Sequence, residues 1–245
     1  MHPSIALATG VRVLLQLRRD PRTVALLLVV PCVLVALVKY VFDGQPEVFD
    51  RIGVPMLGIF PFVSMFLVTS IAMLRERTSG TLERLMTMPL AKLDILAGYA
   101  VAFALLALVQ GTVVSLVAFR LLDLQCAGKT WHVVLLAVAN ALLGMALGLF
   151  VSAFASTEFQ AVQFMPAFVL PQFLLCGLLA PRDSMAPVLE WISWALPLTY
   201  AYDALARVAA GAGLGGRVGI DLLVTLGATL VALALGAATL RRRTA

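Results

Sequence analysis

An all-α integral membrane protein is the fold class this sequence predicts. It has six transmembrane helices, an N-terminal interfacial helix, a short cytoplasmic helix between spans 2 and 3, and an external re-entrant helical hairpin between spans 5 and 6. Three observations carry this. Of the 245 residues, 62% are hydrophobic and 13% charged, where a soluble globular domain carries about 25% charged residues. Apolar runs of about twenty residues, the length that crosses a bilayer core of roughly 30 Å as a helix, fall near 23–42, 53–74, 94–119, 132–154, 160–180 and 219–240. Six spans put both termini on one side, and the segments there hold eleven basic residues (Arg12, Arg18, Arg19, Arg22, Arg75, Arg77, Arg84, Lys92, Arg241, Arg242 and Arg243) against five acids, while the other side holds seven against eight. The excess of Lys and Arg marks the cytoplasmic side. The expectation is a single transmembrane domain over 1–245, multi-pass in the cell membrane, with both termini in the cytoplasm.

Each element has its own signal. Residues 4–19 place Ile5, Ala8, Val11 and Leu15 at helical spacing with Arg12 and Arg19 on another face, the pattern of a helix lying in the membrane surface. Asp20–Pro21 then restarts the chain, the aspartate suited to an N-cap and the proline to the first helical position. Pro55 and Pro61 in the second span and Pro166 and Pro171 in the fifth predict kinks, tolerated where neighbouring helices satisfy the freed carbonyls. Gly144-x-x-x-Gly148 in the fourth span reads as a helix-packing motif. The stretch "PRDSMAPVLEWISWALPLTYAYDALARVAAGAGLGG" is too polar to cross and too apolar to be a free loop. Trp191, Trp194, Tyr200 and Tyr202 suit the membrane interface, and Pro197 splits the stretch into two short helices. Pro197, Tyr200 and Asp203 therefore mark the re-entrant hairpin. The last span, Leu222 to Leu240, carries no charge, and its seven Leu and two Val favour insertion by about 3 to 5 kcal/mol.

One segment stands apart from the apolar background: "LRERTSGTLERLMTMPLAK", Leu74 to Lys92. Ser79 or Gly80 can begin a helix, Glu83 sits in its first turn where negative charge is favoured, and Met88–Pro89 ends it. Leu82, Leu85 and Met86 form one apolar knob at i, i+3 and i+4. On the residues alone, a docking element and a plain connecting loop are both open.

A resemblance weighs between them. "RERTSGTLERLMTMPLAKLDILAGY" resembles the signature loop of ABC transporter permeases of the type-2 exporter class, which includes daunorubicin-resistance-type drug exporters and lipid and polysaccharide exporters. "LPLTYAYDALARV", Leu196 to Val208, resembles that family's second marker, and "FMPAFVLPQFLLCGLLAPRDSMAPVLEWISW" is similar to its proline-broken fifth helix and following interface segment. The likeness runs in order over essentially the whole chain and departs at Cys176–Gly177, where the family often has a small polar residue before glycine. It implies a membrane half that pairs with a second copy or a closely related permease and binds two copies of a separate ATPase through the cytoplasmic loop, the coupling helix. By position, Glu76, Arg77, Gly80, Thr81, Leu82, Glu83 and Leu85 would contact the ATPase, and Pro89 would end the element. The function implied is ATP-driven export of a hydrophobic or amphipathic compound, such as a drug, antibiotic or lipid. Export of a lipid-linked glycan and a non-transporting scaffold or sensor remain as alternatives.

The remaining residue patterns speak mostly by what they exclude. "AGKT" at Ala127 to Thr130 would need glycine at position 123 to complete a phosphate loop, and Asp123 stands there. ATP and Mg are therefore expected on the partner, with no cofactor, metal site or catalytic constellation on this chain. The two histidines, His2 and His132, are far apart with no carboxylate or cysteine cluster. The basic residues form no face for nucleic acid. The arginines of "MHPSIALATGVRVLLQLRRDPR" follow its apolar stretch, so a cleaved signal peptide is not expected. Phe60, Phe62, Met65 and Phe66 in the second span and Phe164, Met165, Phe168 and Phe173 in the fifth offer adaptable apolar surface for a hydrophobic cargo. Residue by residue, ordinary packing or lipid-facing positions are the simpler reading.

Overall fold

The computed structural model describes residues 3–80 and 92–239, and among them every regular element is helical. The order is α1 (Pro3–Arg19), α2 (Pro21–Val41), α3 (Pro46–Thr78), α4 (Lys92–Arg120), α5 (Thr130–Val151), α6 (Glu158–Leu175), α7 (Pro187–Ala195), α8 (Pro197–Ala209) and α9 (Gly216–Thr239). Short 3-10 turns cover Ser152–Phe154 and Arg182–Ser184. Among the described residues, five helices are long and apolar enough to cross a membrane: α2, α3, α4, α5 and α9. The fifth expected span corresponds to α6, which ends at Leu175 rather than near 180. Glu158, Gln160, Gln163 and Gln172 and two internal prolines make α6 more polar than its neighbours.

Local chemistry explains the boundaries. Asp20 caps α2 as its sequence suggests, accepting from the Thr23 amide at 3.2 Å and the Thr23 hydroxyl at 2.6 Å, with Pro21 in the first turn. These two bonds hold the Asp20 carboxylate below its ordinary pKa. Thr157 caps α6 by accepting from the Gln160 amide. Pro197 opens α8 immediately after α7 ends, which is the division its ring enforces. The largest difference from the sequence reading is α3. It was expected over 53–74 and extends over 33 residues, about 50 Å at 1.5 Å per residue, absorbing Pro46 to Ile52 and the charged turn Arg75 to Thr78. Apolar periodicity detects only the greasy middle of such a helix, because its polar ends look like loop.

Burial places α3 and α5 at the centre. Of an apolar 18-residue stretch in each helix, 61% is buried in α3 and 67% in α5, against 17% in α2 and 28% in α9. The pair approaches at backbone contact: a Cβ on Gly144 would strike the Phe62 carbonyl, and one on Gly148 would strike the Phe66 carbonyl and the Thr69 hydroxyl. Thr69 Oγ1 lies 2.7 Å from the Met65 carbonyl and 3.2 Å from that of Met145, so one hydroxyl bridges both helices. Helices in lipid gain no hydrophobic drive toward each other, and such close approach maximises the dispersion and hydrogen bonding that remain. Around this pair, α1 packs on α4, α9 on α5, and α7 with α8 cover one end. The end of the bundle that carries Gly80 is called the loop end, and the end covered by α7 and α8 the hairpin end.

Candidate functional site

At the loop end, α3 stops in a defined way. The Ser79 amide donates to the Arg75 carbonyl at 2.9 Å, and Gly80 follows at φ +72°. That left-handed conformation suits glycine, because a Cβ would crowd the backbone. Just before the stop, Glu76 turns back into the protein, its side chain 11% exposed. Arg12 of α1 places both terminal nitrogens 3.4 Å from its carboxylate oxygens, and Gln16 Nε2 donates to it at 3.1 Å. Arg12 also donates to the Tyr99 hydroxyl of α4 and lies over that ring at 5.6 Å. Glu76 therefore joins the end of α3, through Arg12, to the start of α4, the two helices that flank residues 81–91. Arg75, one residue earlier, reaches α6 with Nε 2.7 Å and Nη2 3.1 Å from the Glu158 carboxylate. This hydrogen-bonded pair holds Glu158 below the ordinary carboxylate range.

Geometry at residue level explains why α1 can reach so far. Thr9 and Val13 are buried against α4, and a Cβ on Gly10 would sit 3.2 Å from the Gly98 carbonyl. The two backbones are close enough for the Arg12 guanidinium to touch α3 and α4 together. Leu7, Val11 and Leu15, spaced four residues apart, stay exposed on the opposite face.

At the hairpin end, Asp203 of α8 meets Arg182 at 2.6 Å, and the Arg182 guanidinium lies 4.5 Å from the centre of the Trp194 ring. The Tyr200 hydroxyl donates to the Trp194 carbonyl at 2.8 Å, and Thr199 to the Ser193 carbonyl at 2.7 Å. These bonds fold α7 back on α8 around Pro197. Asp221 of α9 is fully buried, with Arg207 of α8 at 3.6 Å and Arg217 at 3.4 Å. The far end of α3 is also tied there, since Asp50 Oδ1 accepts from the Gln125 amide at 2.8 Å.

The structure thus brings together some of the residues singled out from sequence. Glu76, Arg77 and Gly80 lie at the end of α3, while Thr81, Leu82, Glu83, Leu85 and Pro89 lie outside the described residues. Phe62 and Phe66 are fully buried in one cluster against which Phe164 and Phe173 pack. Met65 belongs to a second cluster, with Tyr99 and Phe103, Phe60 to a third, and Phe168 is 41% exposed. Arg12, Tyr99, Glu158, Arg182 and Asp221 were not singled out, although each joins distant elements. A faint signal existed for Asp221, a carboxylate one helical turn after Arg217 at the head of an apolar run.

A bundle of long apolar helices, with the charged end of α3 tied to its first and fourth helices, defines a multi-pass membrane protein. The sequence profile of the ABC-2 type transporter family matches residues 7–209, and the chain belongs to that family. It is 29% identical over 164 residues to ABC transporter G family member 20 of Dictyostelium discoideum, covering 66% of this chain and 22% of that protein. It is also 28% identical over 148 residues to the probable multidrug ABC transporter permease YbhR of Escherichia coli, covering 60% of this chain and 40% of the relative. A third relative, the probable multidrug ABC transporter permease YbhS of the same organism, is 23% identical over 161 residues, covering 65% and 42%. The chain thus matches less than half the length of each of these relatives.

Proposed function

We propose that this chain is the membrane subunit of an ATP-driven exporter, working with an ATPase on a separate polypeptide and moving a hydrophobic or amphipathic compound out of the cell. One observation carries the reading beyond family membership: Glu76 and Arg12 lock α1, the end of α3 and the start of α4 into one unit at both ends of residues 81–91. A force applied to that segment is delivered to three helices at once, which a plain connecting loop does not require. In this reading the loop end is cytoplasmic, Glu76, Arg77 and Gly80 begin the ATPase contact, and Thr81, Leu82, Glu83 and Leu85 continue it. The helix α6 serves as a sixth span, α7 and α8 enter the membrane from outside, and two permease chains pair with two ATPases around a two-fold axis. ATP and Mg belong to the partner.

The test uses Glu83→Lys, which would place a cation in the first turn of the helix the sequence predicts there and lose roughly 0.3 to 1 kcal/mol of helix-dipole stabilisation, and Leu85→Asp, which would put a carboxylate into the proposed docking face at a cost of several kcal/mol if unpaired. Both variants should reach the membrane at normal abundance while ATPase recruitment, compound-stimulated hydrolysis and export are lost. Normal export by both would show that the loop is only a connector.

A further inference from the structure

The charged groups clustered at the hairpin end do not balance. Arg182 and Asp203 form one matched pair at 2.6 Å. Asp221, in the second turn of α9, faces two cations, with Nε of Arg207 at 3.6 Å and Nε of Arg217 at 3.4 Å. Three guanidiniums and two carboxylates leave one positive charge in excess. The Asp221 side chain is 0% exposed, whereas those of Arg207 and Arg217 are 46% and 48% exposed. The carboxylate therefore lies beneath the arginines, and an approaching ligand meets the cations first. Neither Asp221 oxygen accepts a hydrogen bond from a described residue. Asp221 gathers the two side chains by charge and leaves their hydrogen-bond donors open to another acceptor.

The chemistry of those donors and the surface beside them select the ligand. A guanidinium presents five donors in a planar fork and is weakly hydrated, which suits the oxygens of a phosphate. Two such groups drawn to one carboxylate can serve a single anion. Arg217 lies in the first turn of α9, a helix long and apolar enough to cross a membrane. Ile220, Leu223, Val231 and Leu235 are exposed farther along it. At 3.6 residues per turn, Ile220, Val231 and Leu235 point within about 60° of the Arg217 direction. An apolar stripe thus runs from the arginine into the depth of the bilayer, and arginines at helix ends reach the headgroup layer. A phosphate that carries acyl chains matches both parts, whereas a free phosphate would leave the stripe unused.

We infer that Arg207 and Arg217 form a binding site for the phosphate of an anionic phospholipid in the leaflet at the hairpin end, with its acyl chains along α9. The bound lipid bridges α8 and α9 across the glycine-rich turn 211–216. It is a resident ligand and not the compound moved, so the inference goes beyond the exporter reading and holds whether or not the chain exports.

Native mass spectrometry of the full chain, titrated in detergent with phosphatidylglycerol or phosphatidylcholine, tests it. Both lipids carry a phosphate diester, and phosphatidylcholine masks its charge with its own ammonium group. The unaltered chain should hold its first phosphatidylglycerol about tenfold more tightly than phosphatidylcholine, as expected for one charge-assisted contact. Arg207→Gln and Arg217→Gln each remove the excess cation while leaving Asp221 one arginine, so no buried charge is stranded. Either variant should bring the two lipids close to parity. Arg18→Gln with Arg19→Gln, at the loop end, should leave the preference in place. A preference that survives in both hairpin-end variants overturns the inference. So does its loss in the loop-end variant, which would move the lipid to the other leaflet. Displacement of phosphatidylglycerol by inorganic phosphate at equal concentration would show a site for free phosphate and also overturn it.

Discussion

At the hairpin end Arg182 and Asp203 meet at 2.6 Å with side chains 16% and 11% exposed, and at the loop end Arg75 and Glu158 meet at 2.7 Å with side chains 58% and 53% exposed. The distances are nearly the same and the energetic meaning is not. An exposed pair exchanges water for partner at little net gain, typically 0 to about 1 kcal/mol. A shielded pair has already lost its water, so removing one member strands the other. Arg12 and Glu76 stand between the two cases, with contacts of 3.4 Å and side chains 30% and 11% exposed. The hairpin end is thus fastened by interactions that are costly to open singly, and the loop end by interactions that can rearrange. In the proposed coupling role, that asymmetry would let the loop end take force while the hairpin end holds shape.

The comparison breaks first if Asp203 proves dispensable. Asp203→Ala should destabilise the chain by about 3 to 5 kcal/mol because Arg182 is left shielded without a counter-charge. Denaturant titration in a mild detergent would read this, and Arg182→Ala with Asp203→Ala together should recover part of the loss. A change below about 1 kcal/mol in the single variant would mean that burial does not separate the two ends. Next in size is Glu76→Ala, with a stability loss of about 1 to 2 kcal/mol, since Arg12 retains Tyr99 as a partner. Its larger consequence should be functional: in the reconstituted complex, hydrolysis continues while compound export falls, because α1 and α4 no longer move with α3. Glu158→Gln sharpens the lower limit. The folded pKa of Glu158 is depressed, so its contribution is present above the unfolded carboxylate range, near pH 4.3, and fades as pH falls through the lower folded value. Thermal scans at pH 7 should separate Glu158→Gln from the unaltered chain by under about 1 kcal/mol, and the two should converge toward pH 3. A gap that widened on acidification would contradict the pairing.

Much of this layout was legible without coordinates. The capping of α2 by Asp20, the division of α7 from α8 at Pro197 and the close packing at Gly144 and Gly148 follow from residue types whose local preferences are strong. What escaped was non-local or polar. Arg12 and Glu76 are 64 residues apart, and nothing in periodicity couples a single arginine in an amphipathic helix to a glutamate in a charged turn. The full reach of α3 was hidden because its first turns, Pro46 to Ile52, and its last, Arg75 to Thr78, lack the apolar repeat that marks a span. The fifth expected span was the reverse case: 160–180 is apolar enough to be noticed, yet its glutamines and prolines leave α6 shorter than a clear crossing. The aromatic residues suggested for a pathway illustrate a further limit, since Phe62 and Phe66 prove to be packed against α5 and α6 within the chain, and a side chain's type does not disclose its occupant.

Backbone contact at Gly144 and Gly148 also decides where α3 can bend. Between Phe62 and Thr69 the two helices are in register like meshed teeth, because sliding by one residue would bring Met145 or Leu149 to a point that admits only hydrogen. That segment behaves as a clamped beam. Pro55 and Pro61 both lie on the hairpin side of the clamp, where each removes a helical hydrogen bond and softens the rod. The run from Phe62 to Thr78 contains no internal proline, so a tilt applied beside Gly80 would reach the clamp before it met a proline-softened segment.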